Sequence, residues 1–246
     1  MPGDADIART AALIADPGRA RMLFALGDGR ALPASVLAAE AEVAPSTASG
    51  HLARLVDAGL LTAERQGRHR YFRVAGPEVA GVLEALAQIS PPRPVRSLRQ
   101  GTRAHAVREA RLCYDHVAGR LGVALMARLL ETGALEGGDG RHHPEDGGDD
   151  RLSARGRDVD YVVTDGGARL LRDLGVDLEA LGRGRRPVVR YCLDWSEQRH
   201  HLAGSLGAAL ADRFLALDWI RRSPQSRALT VTDAGRAGLR ARLGLA

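Results

Sequence analysis

The stretch LPASVLAAEAEVAPSTASGHLARLVDAGLL, residues 32–61, contains two short helical patterns joined by a turn. The first pattern begins near Pro33 and the second at Ser46, with the turn at residues 43–45. Pro45 or Ser46 suits the start of the second helix, because proline has the φ angle of a first helical position and serine caps a free N–H group. The second pattern also has an apolar inner face, formed by Leu52, Leu55 and Val56. This arrangement predicts a helix-turn-helix, in which the second helix reads DNA.

The outer face of this second helix carries small or polar side chains, which are able to approach base edges and phosphates. The residues predicted to contact DNA from this face are Ser46, Thr47, Ser49, His51 and Arg54. For His51 an alternative stays open, in which the ring supports a phosphate contact or packs at the turn.

The segment TAERQGRHRYFRV, residues 62–74, follows directly and has the pattern of two strands about a turn at Gly67. Basic side chains lie at or near its predicted tip: Arg65, Arg68, His69 and Arg70. Charges in this position meet the sugar-phosphate backbone or the minor groove, so they provide affinity and salt dependence more than sequence choice. The segment is therefore predicted to be a wing beside the recognition helix.

Three phrases together carry a resemblance to a known family: ALIADPGRARMLFAL (12–26), VAPSTASGHLARLVDAGLL (43–61) and RQGRHRYFRV (65–74). In order and spacing they resemble the winged helix-turn-helix of the ArsR/SmtB family of bacterial repressors, over about residues 8–88. The resemblance implies a homodimer that binds a double-stranded DNA operator of two-fold character and releases it when an effector binds. The family's familiar metal sites do not carry over, because residues 33–43 contain no Cys and residues 77–89 contain no His.

Composition is typical of a globular protein, and its surplus of positive charge favours an acidic partner, although proteins that bind no polyanion also carry a surplus of this size. The chain has 246 residues, 45% of them hydrophobic, a formal charge of +5 and a pI near 10.0. Its basic residues are all Arg, so phosphate contacts use the forked guanidinium. The sequence has no run of about eighteen apolar residues and no signal-peptide pattern, which predicts a cytoplasmic protein without a membrane partner. Phosphate-loop, nucleophile-elbow and zinc-protease motifs are missing too, and we expect no enzyme.

Proline content marks a domain boundary. The phrase SPPRPVRSL at 90–98 cannot continue a helix, so we predict a DNA-binding domain at 6–90, a linker at 91–102 and a regulatory or dimerisation domain at 103–246. Near-helical spacing of apolar residues predicts one long helix over 101–133, and the Gly- and acid-rich stretch 135–158 predicts a mobile loop. The expected fold class is mainly α with small β-wings, that is, α+β.

The regulatory domain contains an internal repeat. The phrase CYDHVAGRLGVAL at 113–125 returns as CLDW…HLAGSLGAAL from residue 192, and a Thr-Asp-x-Gly phrase follows in both copies. The copies span 113–175 and 192–244. We predict two degenerate winged-helix-like repeats, used for dimerisation or effector binding.

The chain's two cysteines occupy equivalent positions in the two copies. Cys113 and His116 share a face of the predicted helix, whereas Cys192 lies on a predicted strand, with His200 and His201 at the start of the matching helix. If the copies pack about a local two-fold axis, a Cys₂His₂ set suited to Zn²⁺ or another thiophilic metal results, with Asp115 and Asp194 as oxygen ligands or outer partners. The four residues of the predicted set are Cys113, His116, Cys192 and His201. Two alternatives stay open: Cys113 and Cys192 form a redox pair, or both cysteines are buried apolar fillers.

These patterns favour a DNA-binding transcriptional regulator. The resemblance implies that it is a homodimeric repressor, and we expect a metal or small-molecule effector to control it at its C-terminal domain. The alternative function is a metal- or thiol-binding interaction protein that does not bind an operator.

Overall fold

A computed structural model of the chain describes residues 4–67, 69–141, 143, 159–224 and 226–245. Arg68 of the predicted wing lies outside these residues, as does most of the predicted loop at 135–158. The chain forms two compact units, Met1–Leu86 and Ala87–Ala246. Across the described ranges, no helix has both the length and the apolar character needed to cross a membrane.

The first unit is a small α+β fold with a three-stranded antiparallel sheet in the order β1-β3-β2. Its elements are α1 (Ile7–Ile14), α2 (Pro17–Ala25), β1 (Leu32–Pro33), α3 (Ala34–Ala41), α4 (Pro45–Asp57), β2 (Leu61–Gln66) and β3 (His69–Val74), followed by α5 (Pro77–Ile89), which runs past the end of the unit. The most deeply buried side chains of this unit include Met22, Leu23, Leu26, Leu37, Leu52 and Leu55. Burial of these side chains packs α2, α3 and α4 around one core.

The helix-turn-helix forms where the sequence predicts it. Helix α3 ends at Ala41, and the capping residue Glu42 adopts the left-handed conformation with φ of 57°. The next N–H, of Val43, bonds to Ala38 O at 3.1 Å. Pro45 is the first residue of α4. Leu52 and Leu55 are buried as the apolar spacing predicts, and Val56 is half-buried. The predicted α+β class is confirmed, and the N-terminal unit has the predicted helix-turn-helix followed by a β-hairpin.

The second unit contains two segments with the same order of elements: a β-hairpin, a helix, a two-stranded antiparallel sheet and a second helix. Helix α6 (Leu98–Glu109) precedes them and α9 (Leu178–Gly182) lies between them. The first segment is β4 (Arg111–Cys113), β5 (His116–Ala118), α7 (Gly119–Glu131), β6 (Leu135–Glu136), β7 (Val162–Val163) and α8 (Asp165–Asp173). The second is β8 (Arg190–Leu193), β9 (His200–Ala203), α10 (Gly204–Ala216), β10 (Ile220–Arg222), β11 (Leu229–Val231) and α11 (Asp233–Leu243).

Shared capping accompanies this shared order. The Thr164 hydroxyl accepts the Gly167 N–H at 3.0 Å to begin α8, and the Thr232 hydroxyl accepts the Gly235 N–H at 2.9 Å to begin α11. The repeated Thr-Asp-x-Gly phrase is thus a helix start in both segments. The description of each repeat as winged-helix-like stays a prediction.

The prediction of one long helix over residues 101–133 is wrong. Helix α6 ends at Glu109, and the chain turns through the β4–β5 hairpin, with Tyr114 in the left-handed conformation at φ of 59°, before α7 begins. The cause is a distant partner: the Leu112 N–H bonds to Arg227 O at 3.2 Å, and the Leu229 N–H bonds to Ala110 O at 2.8 Å. These backbone bonds to a segment more than a hundred residues away replace the helical ones.

The predicted placement of two histidines is also wrong. His200 and His201 belong to β9 rather than to the start of a helix, and α10 begins only at Gly204, with φ of 81°. Pairing with β8 extends the chain through these residues, since Cys192 lies opposite His201 and Leu193 lies opposite His200.

Candidate DNA-binding surface and metal centre

The first turns of α4 present polar side chains to solvent. Ser46, Thr47 and Ser49 are exposed, and the Ser49 hydroxyl donates to Pro45 O at 3.0 Å. Arg54, two turns further on, is exposed as well. These are the small and cationic groups that recognition helices direct at bases and phosphates.

His51 differs from the other predicted contact residues because its ring is engaged within the protein. Its Nδ1 lies 3.4 Å from Arg19 Nη1, and its Nε2 lies 3.6 Å from Asp16 Oδ1. Both partners are at the start of α2, where Asp16 also accepts the Arg19 N–H at 2.8 Å. The His51 ring is therefore packed against the start of α2.

The wing is the hairpin of β2 and β3. Arg65 lies opposite Arg70, and Gln66 lies opposite His69, next to the turn at Gly67. All of these side chains are exposed. Arg70 also stacks over the Phe72 ring, with its guanidinium carbon 5.2 Å from the ring centroid. The described tip thus carries a concentration of positive charge.

In the second unit, the four predicted ligand residues come together. Their ligand atoms, two thiol sulfurs and one ring nitrogen from each histidine, all lie within 4.8 Å of one another. Each hairpin supplies one directly opposed pair: Cys113 faces His116 across β4–β5, and Cys192 faces His201 across β8–β9. The two imidazole rings stack with centroids 5.2 Å apart. We call these four residues the Cys₂His₂ cluster.

Two glycines allow the two hairpins to approach. A Cβ at Gly122 of α7 would lie 3.5 Å from His201 Cβ, and a Cβ at Gly207 of α10 would lie 3.1 Å from His116 Cβ. Each would also lie within 2.6 Å of a carbonyl oxygen of its own hairpin, Val117 O or Leu202 O. The repeated Gly-x-x-Gly spacing therefore ends on a residue that contacts the histidine of the opposite repeat.

Burial and nearby charges shift the pKa values of the two histidines in opposite directions. Burial favours a neutral ring at His116, but the negative charges of Cys113 and Asp115 outweigh this effect and raise the pKa of His116 to about 9. Burial and the nearby charge of His116 lower the pKa of His201 well below its usual value. Both ring nitrogens of His201 are buried and make no hydrogen bond to a described residue. A metal ion binds a buried ring nitrogen of this kind through the lone pair of its unprotonated form.

Each histidine has an aspartate carboxylate close to its Nδ1 atom. Asp115 Oδ1 is 3.0 Å from His116 Nδ1, and Asp194 Oδ2 is 3.5 Å from His201 Nδ1. The pKa of Asp115 is lowered to about 2, since its bonds to His116 and Arg186 outweigh its burial. The pKa of Asp194 is lowered as well, because Arg111 and His201 outweigh the opposing effect of burial.

Sequence reasoning missed the two arginines of this region. Arg111, whose side chain is fully buried, donates to Asp194 Oδ2 at 2.9 Å, and Arg186 forms a two-point ion pair with Asp115. A signal for Arg111 was present, because Arg-x-Cys-x-Asp begins both repeats, at Arg111 and at Arg190. No local pattern marks Arg186.

Comparison with known proteins supports the assignment of the first unit as a helix-turn-helix domain. One relative is similar to this chain over nearly its whole length. The family described as a helix-turn-helix domain matches residues 14–64. The uncharacterized HTH-type transcriptional regulator YdfF of Bacillus subtilis (strain 168) is 39% identical over 231 residues, which are 94% of this chain and 94% of that protein. That similarity therefore includes the second unit.

Two solved structures resemble the N-terminal part. The cadmium metal-sensor CMTR from Mycobacterium tuberculosis is 34% identical, covers 38% of this chain and 100% of its own, and gives a TM-score of 0.30. The homodimeric winged helix-turn-helix DNA-binding domain of Mb0332 from Mycobacterium bovis, a possible ArsR-family transcriptional regulator, is 31% identical, covers 36% of this chain and 88% of its own, and gives 0.31.

Proposed function

We propose that the chain, which belongs to the HTH-type transcriptional regulators, acts as a cytoplasmic, homodimeric repressor of the ArsR type with a metal effector. The chain is a DNA-binding regulator of transcription, and it has no catalytic role in this proposal. The first unit binds the operator, and the Cys₂His₂ cluster binds the ion that changes operator affinity.

The proposed DNA surface combines the exposed start of α4 with the wing. Small polar groups and Arg54 on α4 meet base edges, while the wing arginines meet phosphates. The residues of this surface are Ser46, Thr47, Ser49, Arg54, Arg65, Arg68, His69 and Arg70, and His51 supports them through its contacts with α2.

Removing the wing charges will weaken binding to every DNA sequence alike. For Arg65→Ala/Arg70→Ala we expect the slope of log affinity against log salt to fall by about 0.9 for each phosphate that the wing no longer neutralises. Arg54→Ala, in contrast, will cost about 1–3 kcal/mol on the preferred operator and little on random DNA. Fluorescence anisotropy with both DNAs over a salt series measures both effects.

Arg73→Ala is the matched control for the wing. Arg73 lies on β3 away from the tip and has Glu64 as an ion-pair partner at 3.6 Å, so we expect its salt slope to match the wild type. If Arg65→Ala/Arg70→Ala leaves the slope of log affinity against log salt unchanged, the wing is not part of the DNA-binding surface.

Dimerisation is proposed through α5. Val82, Leu86 and Ile89 are exposed and follow one another at helical spacing, and Ile89 is 76% exposed. An apolar stripe of this kind favours a self-complementary contact with a second copy.

Charges in this stripe will separate the dimer. Val82→Glu/Ile89→Glu is expected to halve the mass measured by sedimentation equilibrium, because two copies cannot bury unpaired carboxylates against each other. Val162→Glu, a change at an exposed apolar residue of β7, serves as the control and leaves the mass unchanged. A dimeric Val82→Glu/Ile89→Glu protein would exclude α5 as the contact.

The observation that carries the metal proposal is the closeness of four ligand atoms, within 4.8 Å, in a mostly buried cluster. Two thiolates and two imidazoles are a closed tetrahedral set for Zn²⁺ or another thiophilic ion. All four ligand residues come from one chain, so we expect one bound ion per chain.

A redox pair is the second candidate, and the same closeness of the Cys113 and Cys192 sulfurs supports it. A disulfide, however, makes no use of the two buried imidazoles, each of which has a nitrogen within 4.8 Å of both sulfurs. We therefore favour metal binding, and elemental analysis of freshly purified, reduced protein decides between the two candidates.

A further inference from the structure

The Cys₂His₂ cluster is flanked by two carboxylates, one from each repeat. Asp115 follows Cys113 by two residues and lies 3.0 Å from His116 Nδ1. Asp194 follows Cys192 by two residues and lies 3.5 Å from His201 Nδ1. In each repeat, the Cys-x-Asp phrase therefore supplies a thiol of the cluster and a carboxylate that lies next to Nδ1 of the histidine in the same hairpin.

We propose that Asp115 and Asp194 are positioning residues of the metal site, each accepting the Nδ1–H of its own repeat's histidine so that both rings bind the ion through Nε2. This inference rests on the proposed metal binding and specifies how the site is built. A hydrogen bond at the second ring nitrogen fixes the tautomer and orientation of a ligating histidine and makes it a better ligand.

Asp194 is held in place by groups other than the cluster. Its Oδ2 accepts the Gly119 N–H at 2.7 Å and Arg111 Nη2 at 2.9 Å. Its Oδ1 accepts the Ser196 hydroxyl at 2.7 Å and the N–H groups of Ser196 and Glu197 at 2.9 and 3.2 Å. A carboxylate with this many donors does not turn inward to become an oxygen ligand. A shift of a few tenths of an ångström is enough to bring His201 Nδ1 from 3.5 Å into hydrogen-bond distance.

Asp115 is held by a single arginine side chain. Arg186 donates to both of its oxygens, with Nη2 at 3.1 Å from Oδ1 and Nη1 bonded to Oδ2. This pair is partly exposed, whereas the Arg111–Asp194 pair is fully buried. The two repeats thus reach the same arrangement around the histidine with unrelated arginines.

The charges agree with a positioning role. Each aspartate has its own arginine, so the two carboxylates add no net charge to the cluster. Two thiolates then balance one divalent ion, and the loaded site is neutral, which a buried site requires. A carboxylate used as a ligand would leave its arginine unbalanced.

The test is the Zn²⁺ affinity of full-length protein, measured by competition with a chromophoric chelator. Asp115→Asn is expected to weaken Zn²⁺ binding about 10–100-fold, the usual effect of losing an outer partner of a ligating histidine. Asp218→Asn is the matched control: Asp218 is also paired at two points with an arginine, Arg221, but is exposed and has no contact with the cluster. Its affinity is expected to equal that of the wild type. Equal affinities for wild type and Asp115→Asn would overturn the proposal.

Co²⁺ distinguishes a positioning residue from a ligand. The Co²⁺ form of Asp115→Asn is expected to keep the wild-type visible absorption spectrum, because the two sulfurs and two nitrogens still bind the ion. A changed spectrum would identify Asp115 as a ligand and refute the positioning role.

A measurement on the unmodified chain removes the dependence on variants that fold poorly, such as Asp194→Asn, which leaves Arg111 buried without its charged partner. Nitrogen-15 NMR of the Zn²⁺-loaded wild type is expected to show both histidines protonated at Nδ1 and bound through Nε2. Binding of either ring through Nδ1 overturns the proposal. A wild type that binds no Zn²⁺ refutes the metal effector itself, whereas a Zn²⁺-binding wild type with an unaffected Asp115→Asn refutes only the positioning role.

Discussion

Cys113→Ser/Cys192→Ser protein will purify without the ion that we expect the wild type to retain at about one per chain. The reason is that both thiolates of the Cys₂His₂ cluster are removed at once, and the two remaining imidazoles form an incomplete site. Zinc added at about 1,000 times its Kd will raise the free energy of unfolding of the wild type by about 4 kcal/mol and leave the variant unchanged. Elemental mass spectrometry and denaturant titration with and without zinc measure the two effects.

Chelator-treated wild type is the control for this variant, because it keeps both thiols in place. If the cysteines were only apolar fillers, the wild type would be metal-free when purified under reducing conditions, and zinc would stabilise neither protein. A disulfide in protein purified without reductant, together with no retained metal, would instead favour the redox pair.

The second large effect is expected at Arg111. Arg111→Ala will lower the free energy of unfolding of metal-free protein by about 3–5 kcal/mol, because it leaves the Asp194 carboxylate buried without its charged partner. Both side chains of this pair are 0% exposed. Arg111 also stacks over Trp195, with its guanidinium carbon 4.5 Å from the ring centroid, so the change removes packing as well.

Two further variants separate the charge effect from packing. Arg221→Ala breaks an exposed arginine–aspartate pair and is expected to unfold like the wild type. Arg111→Ala/Asp194→Ala is expected to cost clearly less than the sum of its single changes, because no unpaired charge remains. Strict additivity in guanidinium titrations would contradict the assigned role of the ion pair.

The helix-turn-helix was predictable because its signals are local. Pro45 at the helix start and the spacing of Leu52 and Leu55 lie within a dozen residues, and the left-handed turn at Glu42 adds only a short-range bond. The second unit depends on longer distances. The β4–β5 hairpin forms because residues 110–112 bond to residues 227–229, and no window of sequence around Cys113 contains that information.

The closeness of the four cluster residues could be predicted although the predicted helices at Cys113, His116 and His201 were wrong. Residues three apart share a face of a helix, and in a tight hairpin they also stand directly opposite each other, as Cys113 and His116 do. The repeat then places Cys192 and His201 in the equivalent pair. Arg186 was not predictable, because it reaches Asp115 from a segment 71 residues away.

The central claim is that metal at the Cys₂His₂ cluster controls DNA binding, and operator affinity with and without zinc tests it most directly. The operator is first selected from a random DNA library with metal-free protein, and its affinity is then measured at fixed salt. We expect zinc to weaken wild-type binding about 5–150-fold, the usual range of coupling between two sites, and to leave Cys113→Ser/Cys192→Ser unaffected. Equal operator affinity of the wild type with and without bound zinc would contradict this claim.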